Sequence, residues 1–481
     1  MTVSISNCKG EYPLEFPYNP STDYPEYKGE ISESPNYVYE AVRNSFILLD
    51  LDKNQVDTKS WNPFGEFIKP GDKVFVKPNL VASEYRRSCK KIDNVYTTIT
   101  HPSVIRVVLD YVFLALKGEG KVILGDNPSI DANFSQLCKN TGIDKFEELY
   151  KKTNPDIEFR VLDLRPFVCT DLKYYGFASK MEKQSGDPEG ETVVNLAKKS
   201  LFYGLNYKSF RGIFTKRKET IKHHKGEIQE YAISNSIYTA DVYISIPKLK
   251  THRKVGTTLN LKGLVGICSN KNYLVHWRIG YPKQGGDEYP DSDRWLDYPI
   301  LKFRHFLNDF IPEKIYFYLK NKTKGTFLEN TFQTEKSPSG RKHRGAWEGN
   351  DSCWRMVVDL FNAFVKDLPN NKNKKTKTFS VIDGILAGEG NGPFCPEGKS
   401  TKIIISGNDL LETDLVTSRL MDFDISAIKY LKHLVNQEKI SLDKINIYSD
   451  SISTENFFKY NKTYFNFKPP NDWPSLIRWK K

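Results

Sequence analysis

The chain has 481 residues, of which 39% are hydrophobic and 27% are charged, so it can bury a core and is not a disordered polymer. Its length allows two or three domains, or one large unit with insertions. Lys and Arg outnumber Asp and Glu by 71 to 59, which gives a net charge of +12 and favours anionic partners. Because this excess is spread along the chain, we predict no nucleic-acid partner.

The cysteines and the hydropathy pattern indicate the compartment. No two of the seven cysteines lie within 30 residues of each other, so the sequence predicts no iron–sulfur cluster and no disulfide framework. The first twelve residues lack the basic region and apolar run of a signal peptide. Nowhere do about 18 apolar residues run together, as a membrane span would require. We therefore predict a cytoplasmic protein.

Helices and strands alternate in the first third of the chain. Residues 34–51 have the apolar spacing of a helix, and residues 73–77 form a short β-branched strand. A second helix opens at His101, and residues 121–126 predict the next buried strand. This alternation is typical of crossover units. We predict an α/β fold with a mostly parallel sheet, built from βα crossover units and flanked by helices.

The later part of the chain continues this pattern around two insertions. Further strands are predicted over residues 240–247, 379–383 and 403–406, and further helices over 354–365 and 411–421. The predicted units are an N-terminal α/β lobe (1–170), a polar insertion (171–230), a core strand with a Lys/His/Gly motif (231–280), a partly helical insertion (281–350), a C-terminal α/β part (351–450) and a tail (451–481).

Residues 303–318, in the second insertion, predict one basic helix rich in Phe and Tyr. We expect its aromatic side chains to pack on the core. The alternative is a surface helix that touches a membrane.

The segment that follows the strand at 240–247 concentrates polar groups. Lys248, Lys250 and His252 come directly after this strand, and Lys262 follows within a glycine-containing stretch. Lysines at a strand end can neutralise phosphate or carboxylate, and a histidine can move protons or bind a divalent metal. The alternative is a surface turn with solvated lysines.

Two further groups of polar residues stand at predicted strand ends. Asp383 is followed by Glu389 and Asn391 in a glycine-rich loop, whose oxygens suit Mg²⁺ or Ca²⁺ and whose carboxylates suit a general base. A flexible loop with an Asx turn is the alternative. Lys77 and Asn79 leave an earlier strand together and could reach the same edge of the sheet.

These motifs, in their order, resemble a known family, the domain of unknown function numbered 362. The resemblance covers residues 35–135 and 235–430. It rests on the segments 76–80, 100–102, 125–128, 240–241, 247–252, 258–266, 347–351, 383–393 and 419–424. Many members carry a ferredoxin-like iron–sulfur module, but this chain has no cysteine pattern for one.

The pattern is also similar to the N-terminal domain of nickel-dependent lactate racemases. On that resemblance His252 would match a nickel-binding histidine and Lys262 a later lysine. Those racemases attach their cofactor to a lysine ahead of the histidine, and residues 231–241 contain none. The resemblance therefore implies the fold and not the cofactor.

Taken together, the motifs predict an isomerase, racemase or lyase that acts on a carboxylate or phosphorylated metabolite by proton transfer, with or without a metal. The predicted catalytic residues are His252, Asp383 and Glu389, and the predicted substrate-binding residues are Lys77, Asn79, Lys248, Lys250, Lys262 and Asn391. The first alternative is a non-catalytic module that binds an anionic ligand or a protein. The second is a peripheral component of envelope polysaccharide synthesis.

Overall fold

The computed structural model describes residues 2–84, 94–171, 180–212, 217–292, 295–326, 344–366, 376–459 and 462–473. Parts of the two predicted insertions and of the predicted tail lie outside these ranges. The described strands are β1 (Thr2–Asn7), β2 (Lys73–Pro78), β3 (Lys121–Asp126), β4 (Glu158–Asp163), β5 (Phe167–Asp171), β6 (Lys180–Lys183), β7 (Glu191–Asn195), β8 (Phe210–Arg211), β9 (His224–Lys225), β10 (Ile228–Ser234), β11 (Val242–Ile246), β12 (Lys248–His252), β13 (Gly256–Thr258), β14 (Trp277–Arg278), β15 (Lys377–Glu389), β16 (Glu397–Gly407) and β17 (Asn446–Ser449).

The described α-helices connect and cover these strands. They span Tyr37–Leu48, Pro102–Leu116, Phe134–Thr141, Lys145–Thr153, Arg217–His223, Asn235–Tyr238, Asn260–Gly263, Asp297–Phe310, Glu313–Lys322, Cys353–Leu360, Leu410–Leu420 and Lys429–Gln437. A π-helical turn, Phe361–Lys366, extends the helix that begins at Cys353.

A ten-stranded sheet forms the centre of the described structure. Eight of its strands follow the order β17-β1-β16-β15-β11-β2-β3-β4, and β12 pairs with β15 and with β13. β15, β11, β2, β3 and β4 are mutually parallel, whereas β16 runs antiparallel to both of its neighbours. The predicted α/β fold with a mostly parallel sheet is therefore confirmed.

Alternate residues of each central strand pack into separate cores on the two faces of the sheet. Val74 and Val76 of β2 point into one core, and Phe75 between them points into the other. Strands that are buried on both faces have continuous apolar sequences, and residues 74–76 of β2 follow this pattern. The helices Tyr37–Leu48 and Pro102–Leu116 cover the first face, while Cys353–Leu360, Leu410–Leu420 and Lys429–Gln437 cover the second.

The first predicted insertion adds small sheets to this frame. β5 and β6 pair as a hairpin, β10 lies between β7 and β9, and β8 pairs with β14. An isolated bridge between Ile233 and Cys268 ties β10 to the segment after the Lys/His motif.

One element of the second insertion differs from its prediction. Residues 303–318 belong to two helices, Asp297–Phe310 and Glu313–Lys322, because Pro312 lacks the amide hydrogen that would continue the first. The expectation that the aromatic side chains pack on the core is wrong for several of them. Phe303, Phe306 and Phe310 are each 53% exposed.

Candidate functional site

The carboxyl ends of β2, β3 and β11 meet at one edge of the main sheet, where ligands collect in folds of this type. β2 places Lys77 at this edge and β3 places Asp126, while β11 leads into β12 with Lys250 and His252. The Lys77 ammonium lies 2.8 Å from a carboxylate oxygen of Asp126, and both side chains are buried. Gly266 packs against this ion pair, and a Cβ at that position would collide with both partners.

A cavity of about 440 Å³ opens beside this ion pair. Its volume is within the range of metabolite-binding pockets. Seven lysine and arginine side chains and one carboxylate, Asp126, are among the described residues that line it. The cations are Lys77, Lys250, Arg253, Lys254, Lys262, Lys271 and Arg344. Lysine and arginine side chains therefore far outnumber carboxylates in the described lining of the cavity.

Most of the lysines in the cavity are held by uncharged backbone groups. Lys250 donates to the carbonyls of Thr98 and Pro393, and Lys254 donates to the carbonyl of Arg344 at 2.7 Å. Lys271 donates to the carbonyls of Asn127 and Val265, at 2.9 and 3.0 Å. Lys262 is 7% exposed and has no hydrogen-bond or ion-pair partner among the described residues. These contacts orient the ammonium groups but do not neutralise them.

Burial of this charge perturbs the lysines. Desolvation by burial lowers the pKa of Lys254 and of Lys271 to about 8. Burial, followed by repulsion from neighbouring lysines, lowers the pKa of Lys250 well below its usual value. Burial also lowers the pKa of Lys262, to which repulsion from Lys77 adds. A bound anion would relieve this repulsion and restore the charged forms.

Two histidines line the same cavity, and their Nδ1 atoms have opposite roles: one accepts a hydrogen bond and the other donates one. His252 Nδ1 accepts the backbone N–H of Lys254 at 3.0 Å, so its ring proton is on Nε2. His276 Nδ1 lies 3.0 Å from the carbonyl of Leu274 and must donate to it, which leaves the lone pair on Nε2. His276 Nε2 is buried and has no hydrogen-bond partner among the described residues.

Both imidazoles are neutral at ordinary pH. Burial, followed by repulsion from Lys262 and Lys254, lowers the pKa of His252 and of His276 well below the usual histidine value. The cavity thus contains one neutral hydrogen-bond donor, His252 Nε2–H, and one neutral proton acceptor, His276 Nε2.

Lys248 and Asp383 lie outside this cavity. Their side chains form a fully buried ion pair of 2.9 Å. Tyr12 Oη donates to Asp383 at 2.6 Å, and the backbone N–H of His101 donates to the second carboxylate oxygen at 2.9 Å. The pairing of β12 with β15 is irregular between Lys248 and Lys250, and of these two lysines Lys250 lines the cavity and Lys248 does not. The pair joins the N-terminal segment to the sheet, and the catalytic role predicted for Asp383 stays untested.

The glycine-rich loop after β15 contributes to the cavity only in part. Asn391 lines it, as do the neighbouring residues up to Cys395. Glu389 instead pairs with Lys399 at 3.1 Å and accepts the backbone N–H of Lys468. A Cβ at Gly392 would collide with the carbonyl of Thr251, so this glycine allows the loop to lie against β12.

The donor set around His252 does not fit a divalent metal. Within the described ranges, no three His, Cys, Asp or Glu side chains come together in a way that could hold a metal ion. The cationic groups that surround the two histidines would also repel a dication. The metal-ligand role predicted for His252 therefore has no support from its neighbours.

The structure brings together most of the predicted residues and adds others. Of the predicted set, the residues that line the cavity are Lys77, Asn79, Lys250, His252, Lys262 and Asn391, whereas Lys248, Asp383 and Glu389 do not line it. His276, Lys254, Lys271 and Arg344 were not identified from the sequence. His276 and Arg344 lie outside any periodic segment, so only the tertiary fold brings them to the strand ends.

Comparisons with known proteins place this site in a family context. Residues 191–419 match the family described as Domain of unknown function (DUF362). This span includes β12, β15 and the cavity residues from Lys250 to Cys395, whereas Lys77 and Asp126 precede it.

Two individual proteins are also similar. A thylakoid-associated protein from Synechocystis sp. is 20% identical over 380 residues, which are 79% of this chain and 71% of the relative. The crystal structure of a Thermotoga maritima protein is 13% identical, with a TM-score of 0.30. The match covers 81% of this chain and 58% of the Thermotoga chain. Among the helices of the described ranges, none has the length and apolar character to cross a membrane.

The buried Lys248–Asp383 pair generates a stability prediction. Asp383→Ala leaves a fully buried ammonium without its carboxylate, so we expect the free energy of unfolding to fall by about 3–5 kcal/mol in urea denaturation. The double variant Lys248→Met, Asp383→Leu removes both charges and should recover most of the loss. A single variant as stable as the wild type would contradict the structural role of the pair.

Proposed function

This chain belongs to the DUF362 family, whose name assigns no reaction, and from that premise we propose that its cavity binds an anionic small molecule and transfers a proton on it. The observation that carries the proposal is the combination of unneutralised lysines with two neutral histidines of opposite polarity in one cavity. A substrate carrying a carboxylate or phosphate would supply the missing negative charge.

Lys262 is the principal anion-binding residue in this proposal. It is the lysine of the cavity for which the described residues provide no partner, so an incoming anion need not displace an existing bond. Lys250 and Lys254 would add charge-assisted hydrogen bonds beside their carbonyl contacts. The amides of Asn79 and Asn391 would orient the rest of the ligand. Lys77 would act mainly through its pairing with Asp126.

The two histidines provide the proposed proton transfer. A carbon next to a carboxylate loses its proton to His276 Nε2, and the electron pair of the broken C–H bond moves into the carboxylate as an enediolate. The lysines stabilise this added negative charge. The protonated His276 then returns the proton to carbon or delivers it to a leaving group, which restores its neutral form, while His252 donates an Nε2–H hydrogen bond to the enediolate oxygen and keeps its proton. The first outcome is isomerisation or racemisation, and the second is elimination.

We propose that this reaction takes place in the cytoplasm. Cys8, Cys138, Cys268 and Cys353 are free thiols, as expected of a reducing compartment. The thylakoid association after which the Synechocystis relative is named supports peripheral contact with a membrane for this chain as well. Such contact is compatible with a cytoplasmic reaction.

Anion binding should depend on pH through the lysines. Lys254 and Lys271 lose their charge as the pH rises through their pKa values of about 8, so the affinity for an anion should fall with rising pH. Citrate keeps a constant charge above about pH 7.5 and serves as the probe. Calorimetric titration should show its affinity weaken about tenfold or more between about pH 7.5 and pH 9.5.

The Lys262→Met variant tests the same binding site at fixed pH. We expect about tenfold weaker citrate binding, because one charge-assisted contact is lost. Lys198→Met is the matched control, since Lys198 is exposed and does not line the cavity. Equal affinities of the wild type and Lys262→Met would refute the role of Lys262.

Proton transfer is tested by exchange of a carbon-bound hydrogen with D₂O, followed by NMR over a panel of 2-hydroxy and 2-amino carboxylates and their phosphorylated analogues. We expect exchange on at least one compound, and its loss in His276→Gln and His252→Gln, while citrate affinity changes by less than about threefold. Citrate binding without exchange on any compound would favour the non-catalytic binding module.

A further inference from the structure

A helical hairpin on the surface concentrates exposed aromatic side chains. We call residues 295–326 the aromatic hairpin; it contains the helices Asp297–Phe310 and Glu313–Lys322, which contact each other. It holds seven of the fifteen large apolar or aromatic side chains that are exposed in the described ranges: Trp295, Leu296, Phe303, Phe306, Phe310, Ile315 and Tyr318. Trp295 is 82% exposed and Tyr318 is 58% exposed.

The exposed phenylalanines occupy one face of the first helix. Phe303, Phe306 and Phe310 are spaced by three and four residues, which places them side by side along the helix. The Phe306 and Phe310 rings have centroids 4.9 Å apart. Leu301 and Leu307, on the rest of the helix surface, are buried. The helix is therefore amphipathic, with its aromatic stripe turned away from the protein.

Buried polar contacts fix this orientation. Asp309 accepts a hydrogen bond from the Arg211 guanidinium at 2.8 Å, and His305 Nε2 lies 2.7 Å from the Glu288 carboxylate. All four side chains are about one-tenth exposed or less. Rotating the helix to bury its aromatic stripe would break both contacts. The exposure of the stripe is thus a consequence of the fold.

The charged side chains of the aromatic hairpin that are described as exposed are basic. Residues 295–326 contain six Lys and Arg and three Asp and Glu. Two of the acids, Asp297 and Asp309, face Ser292 and Arg211 inside the protein. Lys302, Lys322 and Lys324 are exposed. The surface of the aromatic hairpin therefore combines aromatic side chains with positive charge.

We propose that the aromatic hairpin docks this protein onto an anionic lipid bilayer. Aromatic rings enter the boundary between headgroups and acyl chains, and lysines beside them bind anionic headgroups. The two helices have 14 and 10 residues, so they lie in the plane of the surface and do not cross it. A second copy fits this face less well, because a two-fold contact would bring the lysines of one stripe against those of the other.

The test uses the full chain and vesicles that contain about 30% phosphatidylglycerol, with pure phosphatidylcholine vesicles as the uncharged reference. We expect sedimentation with the anionic vesicles at about 0.1 M salt, and loss of most binding at about 0.5 M salt. Brominated acyl chains should quench Trp295, and the quenching should be smaller in Trp295→Phe.

Matched variants locate the surface. Phe303→Ser, Phe306→Ser, Phe310→Ser together should weaken vesicle binding at least about tenfold, with unchanged circular dichroism and Tm because the side chains are exposed. The control replaces Leu14, Ile31 and Tyr203, which are also exposed, by Ser and should bind as the wild type does. Absence of binding to anionic vesicles, equal binding by both triple variants, or a dimer that the first variant abolishes without lipid would each overturn the proposal.

Discussion

The ammonium groups of Lys250, Lys254 and Lys271 are held by backbone carbonyls, which orient a charge without neutralising it. In water, holding these ammonium groups close together would cost little free energy. At a buried strand end the repulsion among them is only weakly screened. The cost is visible in the lowered pKa values of these lysines and of both histidines. Unfavourable electrostatic interactions of this kind are common at functional sites. An anionic ligand would relieve the repulsion among these lysines.

The same repulsion links anion binding to the proposed chemistry. His252 and His276 stay neutral because they are buried next to Lys262 and Lys254. Their hydrogen bonds to Lys254 N–H and Leu274 carbonyl then assign them opposite roles. Removing positive charge from the cavity would therefore weaken binding and also shift the protonation of the residues that react.

The sequence predicted the fold well because the parallel strands β2, β3 and β11 are short and apolar and helices separate them. It also identified Lys77, Lys250, His252 and Lys262, since each stands at or just after a strand whose end is marked by a proline or a glycine. It could not show that Lys248 pairs with Asp383 beside Tyr12, a contact between residues far apart in the chain. Nor could it identify His276, because no periodicity or motif surrounds it. The sequence also could not show that the aromatic stripe of the hairpin is exposed, since helical spacing alone does not tell which face is buried.

Proton uptake on ligand binding tests the central claim most directly. Calorimetric titration of citrate at about pH 8, in two buffers with different ionisation enthalpies, measures the protons taken up per anion bound. If the anion binds among the lysines, it raises their pKa values from about 8, so the protein should take up about half a proton or more per citrate. Binding without proton uptake, or no binding, would show that the buried lysines do not form an anion site.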